Sequence, residues 1–188
     1  EQDCLRLIDT TLSTFGRIDV MINNAGISMR ALFNEVETEV IRQLMDVNFW
    51  GTVYCSKYAL PHLLKVRGSL VAVSSVAGYK GLPGRAGYSA SKFAIHGLMD
   101  VIRIENLKKG LHVLLACPGF TSSNIRNTAL NEKGEQQGES PRDEDKMMSA
   151  EEVARRIVDA VKKRKSTLTL TSQGKLTVLL YKILPRQL

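Results

Sequence analysis

At 188 residues the chain is long enough for one domain with a hydrophobic core. Its 44% apolar and 24% charged content is ordinary for a soluble globular protein, and no run is long and apolar enough for a transmembrane span. The net charge of +7 gathers partly in Lys162-Lys163-Arg164-Lys165; without interleaved aromatics or a zinc pattern, this run argues against nucleic-acid binding and reads as a solvated helix end.

The elements alternate along the chain. Leu5, Ile8, Leu12 and Phe15 recur at helical spacing and predict an amphipathic helix over residues 2–15. Residues 18–23 form an apolar run of strand length. Residues 38 to about 66 carry a helical pattern that Pro61 is expected to kink or interrupt. A strand is expected over 69–74, then a long helix over 88–109 that Gly110 stops in the C-cap position. Residues 112–116 predict a third strand. Ser149-Ala150-Glu151-Glu152 is a capping-box sequence opening a helix to about Lys163. Residues 166–171 alternate like a strand, and 174–184 are helical in pattern. Four strands separated by helices indicate an α/β fold with a parallel sheet covered on both faces.

Two segments break this rhythm. Residues 122–148 are polar, contain Gly134, Gly138 and Pro141, and show no periodicity; loops this long are usually functional or disordered. Residues 176–184 are unusually apolar between Lys175, Lys182 and Arg186. Core or dimer packing is the favoured account of that stretch, with interfacial membrane contact as the alternative. Cys4, Cys55 and Cys117 are too few and too scattered for a disulfide framework, which fits a reducing, cytoplasmic setting. They and His62, His96 and His112 show no metal-ligand spacing, so no metal is expected.

The chemistry concentrates in Tyr88-Ser89-Ala90-Ser91-Lys92. On a helix, Tyr88 and Lys92 project from one face. A free phenol has a pKa of about 10, and a nearby cation favours the phenolate, so the pair is suited to proton transfer near neutral pH. Ser75 lies thirteen residues before Tyr88, at the end of the apolar run Leu70-Val71-Ala72-Val73. Asn23-Asn24-Ala25-Gly26 ends the first strand, Asn48 lies in Asp46-Val47-Asn48-Phe49-Trp50-Gly51, and Pro118-Gly119 follows the third strand. In this order and spacing, the chain resembles the short-chain dehydrogenase/reductase family over nearly its whole length.

The resemblance implies a Rossmann-like, doubly wound parallel sheet and hydride transfer between a nicotinamide cofactor and a carbonyl or alcohol. Tyr88 would be the general acid or base, Lys92 would lower its pKa and bond the nicotinamide ribose, and Ser75 would hold the substrate oxygen. Asn48 would help hold a water linking Lys92 to solvent. Asn24, Ala25, Gly26, Pro118, Gly119 and Thr121, with Tyr88 and Lys92, would meet the cofactor, NAD or NADP with a slight preference for NADP. Each has a plainer alternative: Ser74 or Ser75 can cap the strand end, Asn48 can bond its own helix backbone, and the Asn23-Asn24 and Pro118-Gly119 pairs can be turns.

By the same resemblance, residues 18–23 correspond to the fourth strand of a seven-stranded sheet. No glycine-rich phosphate turn precedes them, so roughly 70–80 residues of a single domain, judged from two βαβ units, are expected before Glu1. Segment 122–148 would be a mobile lid, and Leu82 and Pro83 would shape an apolar-walled pocket with it. A small, hydrophobic carbonyl or alcohol is the expected substrate. A homodimer or homotetramer is expected through the helices holding Asn48 and Tyr88. The rival reading is a catalytically silent binding or scaffold protein of the same fold, which the intact Asn-Ser-Tyr-Lys set disfavours.

Overall fold

A computed structural model describes residues 1–140, 143 and 147–183, apart from the Lys182 side chain. Pro141, Leu184 and Arg186 lie outside the described residues. The helices are α1 (Gln2–Phe15), α2 (Thr38–Leu44), α3 (Gly51–Val66), α4 (Ala86–Asn106), α5 (Ala150–Lys162) and α6 (Ser172–Ile183). The strands are β1 (Val20–Asn23), β2 (Ser69–Val73), β3 (His112–Cys117), β4 (Thr121–Ser122), β5 (Met148–Ser149) and β6 (Thr167–Thr169).

The four apolar runs pair in parallel in the order β1-β2-β3-β6, with Leu70 opposite Met21 and Val113, and Ala116 opposite Leu168. The two central strands, β2 and β3, are nearly continuous hydrophobic runs because both of their faces are covered, whereas Val20 and Ile22 of β1 are exposed. Leu70 and Ala72, with Val113, Leu115 and Cys117, pack on Ile8 of α1, Ala59 and Leu63 of α3, and Ile95 and Met99 of α4. The alternate side chains Val71, Leu114 and Ala116 meet Val153, Ile157 and Ala160 of α5. Leu63, Leu70 and Leu114 are wholly buried, each contributing roughly 1.5–3 kcal/mol of transfer free energy. The parallel-sheet α/β architecture expected from the alternation of elements is therefore present.

The ends of several helices follow the sequence signals. Gly110 stops the α4 run, after a 3₁₀ turn at Leu107–Lys109, with a left-handed φ of 78°. At the start of α5 the Ser149 hydroxyl accepts from the Glu152 N–H at 3.2 Å, whereas the Glu152 carboxylate pairs with Arg155 and Arg156 instead of reaching back. In the basic run, Arg164 donates to the carbonyls of Arg67 and Gly110, tying down two loop ends.

The structure bears on three expectations. Helix α3 is not interrupted at Pro61; the break in the 38–66 pattern is a π-helical stretch, Met45–Trp50, that holds Asn48. Leu176, Leu179 and Ile183 of α6 are exposed and lie outside the core, which leaves the dimer-packing reading of this stretch standing. The described part of segment 122–148 is docked: Leu130 N–H donates to the Ser28 carbonyl, Arg30 N–H donates to the Leu130 carbonyl, and Glu37 N–H donates to the Glu132 carbonyl. Buried Leu130 joins Met29, Val40 and Leu44 in a third small core beside Tyr88. Strands β4 and β5 pair in parallel and close the base of the segment.

His112 fastens β3 to its neighbours, with Nδ1 2.9 Å from the Ser69 hydroxyl and Nε2 2.9 Å from the Lys165 carbonyl. Burial lowers its pKa from the ordinary value of 6.5. The unfolded chain therefore binds a proton that the folded chain resists; the stability from this site is present above about pH 6.5 and declines as pH falls below it. Urea denaturation should show a lower midpoint near pH 5 than near pH 7, and the drop should be smaller in His112→Gln.

Candidate active site

A cleft of about 850 Å³ opens at the carboxyl ends of β1, β2 and β3, where ligands enter open α/β sheets. Helix α4 supplies its reactive wall. Tyr88 lies in its first turn, and Ser91 and Lys92 lie in the next, the spacing that stacks side chains on one helix face. Lys92 is 4% exposed, and its Nζ donates to the Val73 carbonyl at 3.0 Å, which joins α4 to the end of β2. Its ammonium stands 5.6 Å from the centre of the Tyr88 ring. Ser75 stands two residues past β2, and its hydroxyl accepts from the Ala77 N–H at 3.2 Å. It is also near enough to Tyr88 to pull the phenol pKa down. The capping and site roles of Ser75 are thus compatible.

Asn48 is completely buried in the π-helical stretch. Its Oδ1 accepts from the Ile27 N–H at 2.8 Å, and its Nδ2 donates to the Ile27 carbonyl and the Ser91 hydroxyl, both at 3.0 Å. Ser91 in turn donates to the Tyr88 carbonyl at 2.8 Å. The amide of Asn48 therefore braces the segment after β1 against the tyrosine helix. Gly26 sits close against this network: a Cβ there would stand a tight 3.2 Å from Asn48 Oδ1 and in ordinary contact with Lys92 Nζ at 3.5 Å. On the other side, Asn23 donates to the Ser56 hydroxyl at 3.0 Å and bonds the Val71 carbonyl, bracing β1 to α3 and β2.

The electrostatics depart from the simple Tyr–Lys expectation. Burial raises the Tyr88 pKa above its ordinary value of 10, opposed by Ser75 and by the positive charges of Arg85 and Arg126. Lys92 faces the Val73 carbonyl and is not among the groups that set this shift. Burial lowers the Lys92 pKa to about 8, so its ammonium still predominates at neutral pH but is lost sooner on the alkaline side than that of an exposed lysine.

Of the residues expected at the site, Asn24, Gly26, Ser75, Tyr88, Lys92, Pro118, Gly119 and Thr121 line the cleft. Asn48 stands just behind it, and Ala25 is exposed and outside its lining. Leu82 lines the cleft; Pro83 is exposed and does not. The sequence reading missed Ser28, Arg85, Ser91 and Arg126. Arg85 donates to the Ser28 hydroxyl at 2.6 Å and the Met29 carbonyl at 2.7 Å, fixing the start of α4 to the segment after β1. Ser91 was within reach, since it lies one helical turn from Tyr88; the two arginines carried no signal of their own.

The family model described as short chain dehydrogenase matches residues 1–134. The chain is similar to an 11-beta-hydroxysteroid dehydrogenase A of Arachis hypogaea, 42% identical over 136 residues, covering 71% of this chain and 39% of the relative. It is also similar to dehydrogenase/reductase SDR family member 7B of Mus musculus, 36% identical over 161 residues, covering 85% of this chain and 50% of the relative. It thus spans about two-fifths to half the length of these relatives. Among solved structures, a short-chain dehydrogenase from Streptomyces avermitilis superposes with a TM-score of 0.78 at 24% identity, covering 97% of this chain and 72% of that one. An alcohol dehydrogenase from the archaeon Thermococcus sibiricus, complexed with 5-hydroxy-NADP, gives 0.77 at 20% identity, with 90% and 69% coverage. These two likenesses carry the fold.

Asn48→Ala would leave the buried Ile27 N–H and carbonyl without side-chain partners. Stability should fall by about 1–3 kcal/mol per unsatisfied group, read as a lower urea midpoint with an unchanged denaturant slope.

Proposed function

The chain belongs to the short-chain dehydrogenase family, and on that premise we propose that it serves as an NAD(P)-dependent oxidoreductase acting on a carbonyl or alcohol. The observation that carries this reading is the convergence of Ser75, Tyr88 and Lys92 on one cleft, with Ser75 near enough to the tyrosine to pull its pKa down. The Ser75 hydroxyl donates to the substrate oxygen and holds it beside the phenol. Tyr88 gives that oxygen a proton in reduction and takes one in oxidation. The positive charges of Arg85 and Arg126 favour the phenolate that forms when the proton leaves.

The residues present fit a nicotinamide cofactor. Gly26 keeps the approach to Lys92 and Asn48 open, and Asn24, Pro118, Gly119 and Thr121 line the same cleft. These residues and Lys92 hold the cofactor, either NAD or NADP, and the cofactor when bound supplies or accepts the hydride. The Lys92 ammonium supplies a donor to its ribose. Asn48 keeps Lys92 and Gly26 in register by holding Ile27.

A hydrophobic substrate is favoured by Leu82, Ile125 and Val158 on the cleft walls and by relatives named as 11-beta-hydroxysteroid dehydrogenases. The exposed Trp50, with Phe93, Val101 and Ile104 along α4, supports pairing with a second copy through the helices that hold Asn48 and Tyr88.

Tyr88→Phe removes the proton carrier while keeping the ring. Turnover in the intact protein should fall by about 10²–10⁴-fold with cofactor affinity retained. Steady-state kinetics alongside a fluorescence titration with NADH and NADPH checks this, and unchanged turnover would remove Tyr88 from its role.

A further inference from the structure

Behind the cleft wall lies a polar cluster that the chemistry above does not use. His96 sits on α4 one turn beyond Lys92. Its Nε2 is 2.8 Å from the Ser74 hydroxyl and 3.7 Å from the Cys117 thiol. Ser74 immediately precedes Ser75, and Cys117 immediately precedes Pro118. One imidazole edge therefore touches the ends of both central strands, where each gives way to a cleft-lining loop.

The contacts continue on the far side of Ser75. The Tyr79 ring meets the imidazole edge-on, with centroids 4.6 Å apart. Gly78 is pressed so closely that a Cβ would stand 2.5 Å from His96 Nε2. Residues 74, 78 and 79 thus all rest on one ring and bracket Ser75. The backbone is stitched to β3 on both sides of Ser75: Ser74 N–H donates to the Ala116 carbonyl at 2.7 Å, and Val76 N–H donates to the Pro118 carbonyl at 3.4 Å. Between these ties, the place of the Ser75 hydroxyl depends on what the bracketing residues lean against.

We propose that His96 is a positioning residue, setting the Ser75 hydroxyl against Tyr88 by holding Ser74, Gly78 and Tyr79 on one imidazole. Burial and the Lys92 charge hold the His96 pKa down to about 4, so the ring is neutral throughout the working range and either tautomer keeps the bond to Ser74. A plain core histidine would fill space here equally well, and the two roles separate by experiment. The proposal rests on Ser75 contacting substrate, as in the function given above.

The test compares His96→Leu, which fills space without hydrogen bonding, with His96→Gln, which restores a polar group, in the intact protein. The expected result is a kcat lowered roughly 10- to 100-fold in His96→Leu, cofactor affinity unchanged, and most of the loss recovered in His96→Gln. Crystal structures should show Ser75 displaced by about 1 Å in the first variant and returned in the second. Ser74→Ala removes only the hydroxyl and should lower kcat in the same direction, which keeps the test open if His96→Leu does not fold. A folded His96→Leu with Ser75 in place and kcat unchanged would overturn the proposal, as would equal loss in the leucine and glutamine variants. Wild-type protein without NAD(P)-linked turnover would instead overturn the oxidoreductase reading, while the crystallographic comparison would still decide whether His96 positions Ser75.

Discussion

A buried ammonium must find an acceptor, and Lys92 finds one in the Val73 carbonyl at the end of β2. The rest of the site depends on this contact. It fixes α4 in height and rotation against the strand whose next residues are Ser74 and Ser75. A helix repeats its face every three to four residues, so Tyr88 lies one turn below the contact and His96 one turn above. The tyrosine therefore comes within electrostatic reach of Ser75, and the histidine meets the Ser74 hydroxyl behind it. Three side chains of one helix read successive atoms at the end of one strand.

A second fastening comes from Asn48. The π-helical stretch adds a residue to the turn, and Asn48 occupies its buried side, where its amide holds both polar groups of Ile27 and the Ser91 hydroxyl. Arg85 makes a parallel tie from the start of α4 to Ser28 and Met29. The segment after β1 is thereby held to the tyrosine helix at both ends. A network of this kind is rigid only while every member is satisfied, because an orphaned amide or carbonyl in a dry interior costs more than the bond it lost.

The third constraint is packing. Met29, Val40, Leu44 and Leu130 form a small core that brings segment 122–148 back over the segment after β1, with partly buried Tyr88 against it. The main-chain bonds between residues 28–37 and 130–132 seat the middle of the segment, and the β4–β5 pair closes its base. One side of the cleft is thus built from a loop, and the other from strand ends and a helix. The burial that this loop helps create raises the Tyr88 pKa, while Ser75 and the two arginines pull it back.

Much of this was legible in the sequence because it depends on near neighbours. Strands of unbroken apolar residues, the cap at Ser149, the stop at Gly110 and the one-face projection of Tyr88 and Lys92 all follow from local periodicity and conformational preference. The order and spacing of Asn48, Ser75, Tyr88 and Lys92 were enough to mark the family. The tertiary structure decided what each polar group faces. That the helix tolerates Pro61 but unwinds around Asn48, that Lys92 turns to a strand carbonyl, that Leu130 docks on Met29, and that His96 stands behind Ser74 are pairings across some 20 to 100 positions of chain. A side chain's own neighbours in sequence state its chemistry; its hydrogen-bond partner and its desolvation are set only when distant segments are packed together.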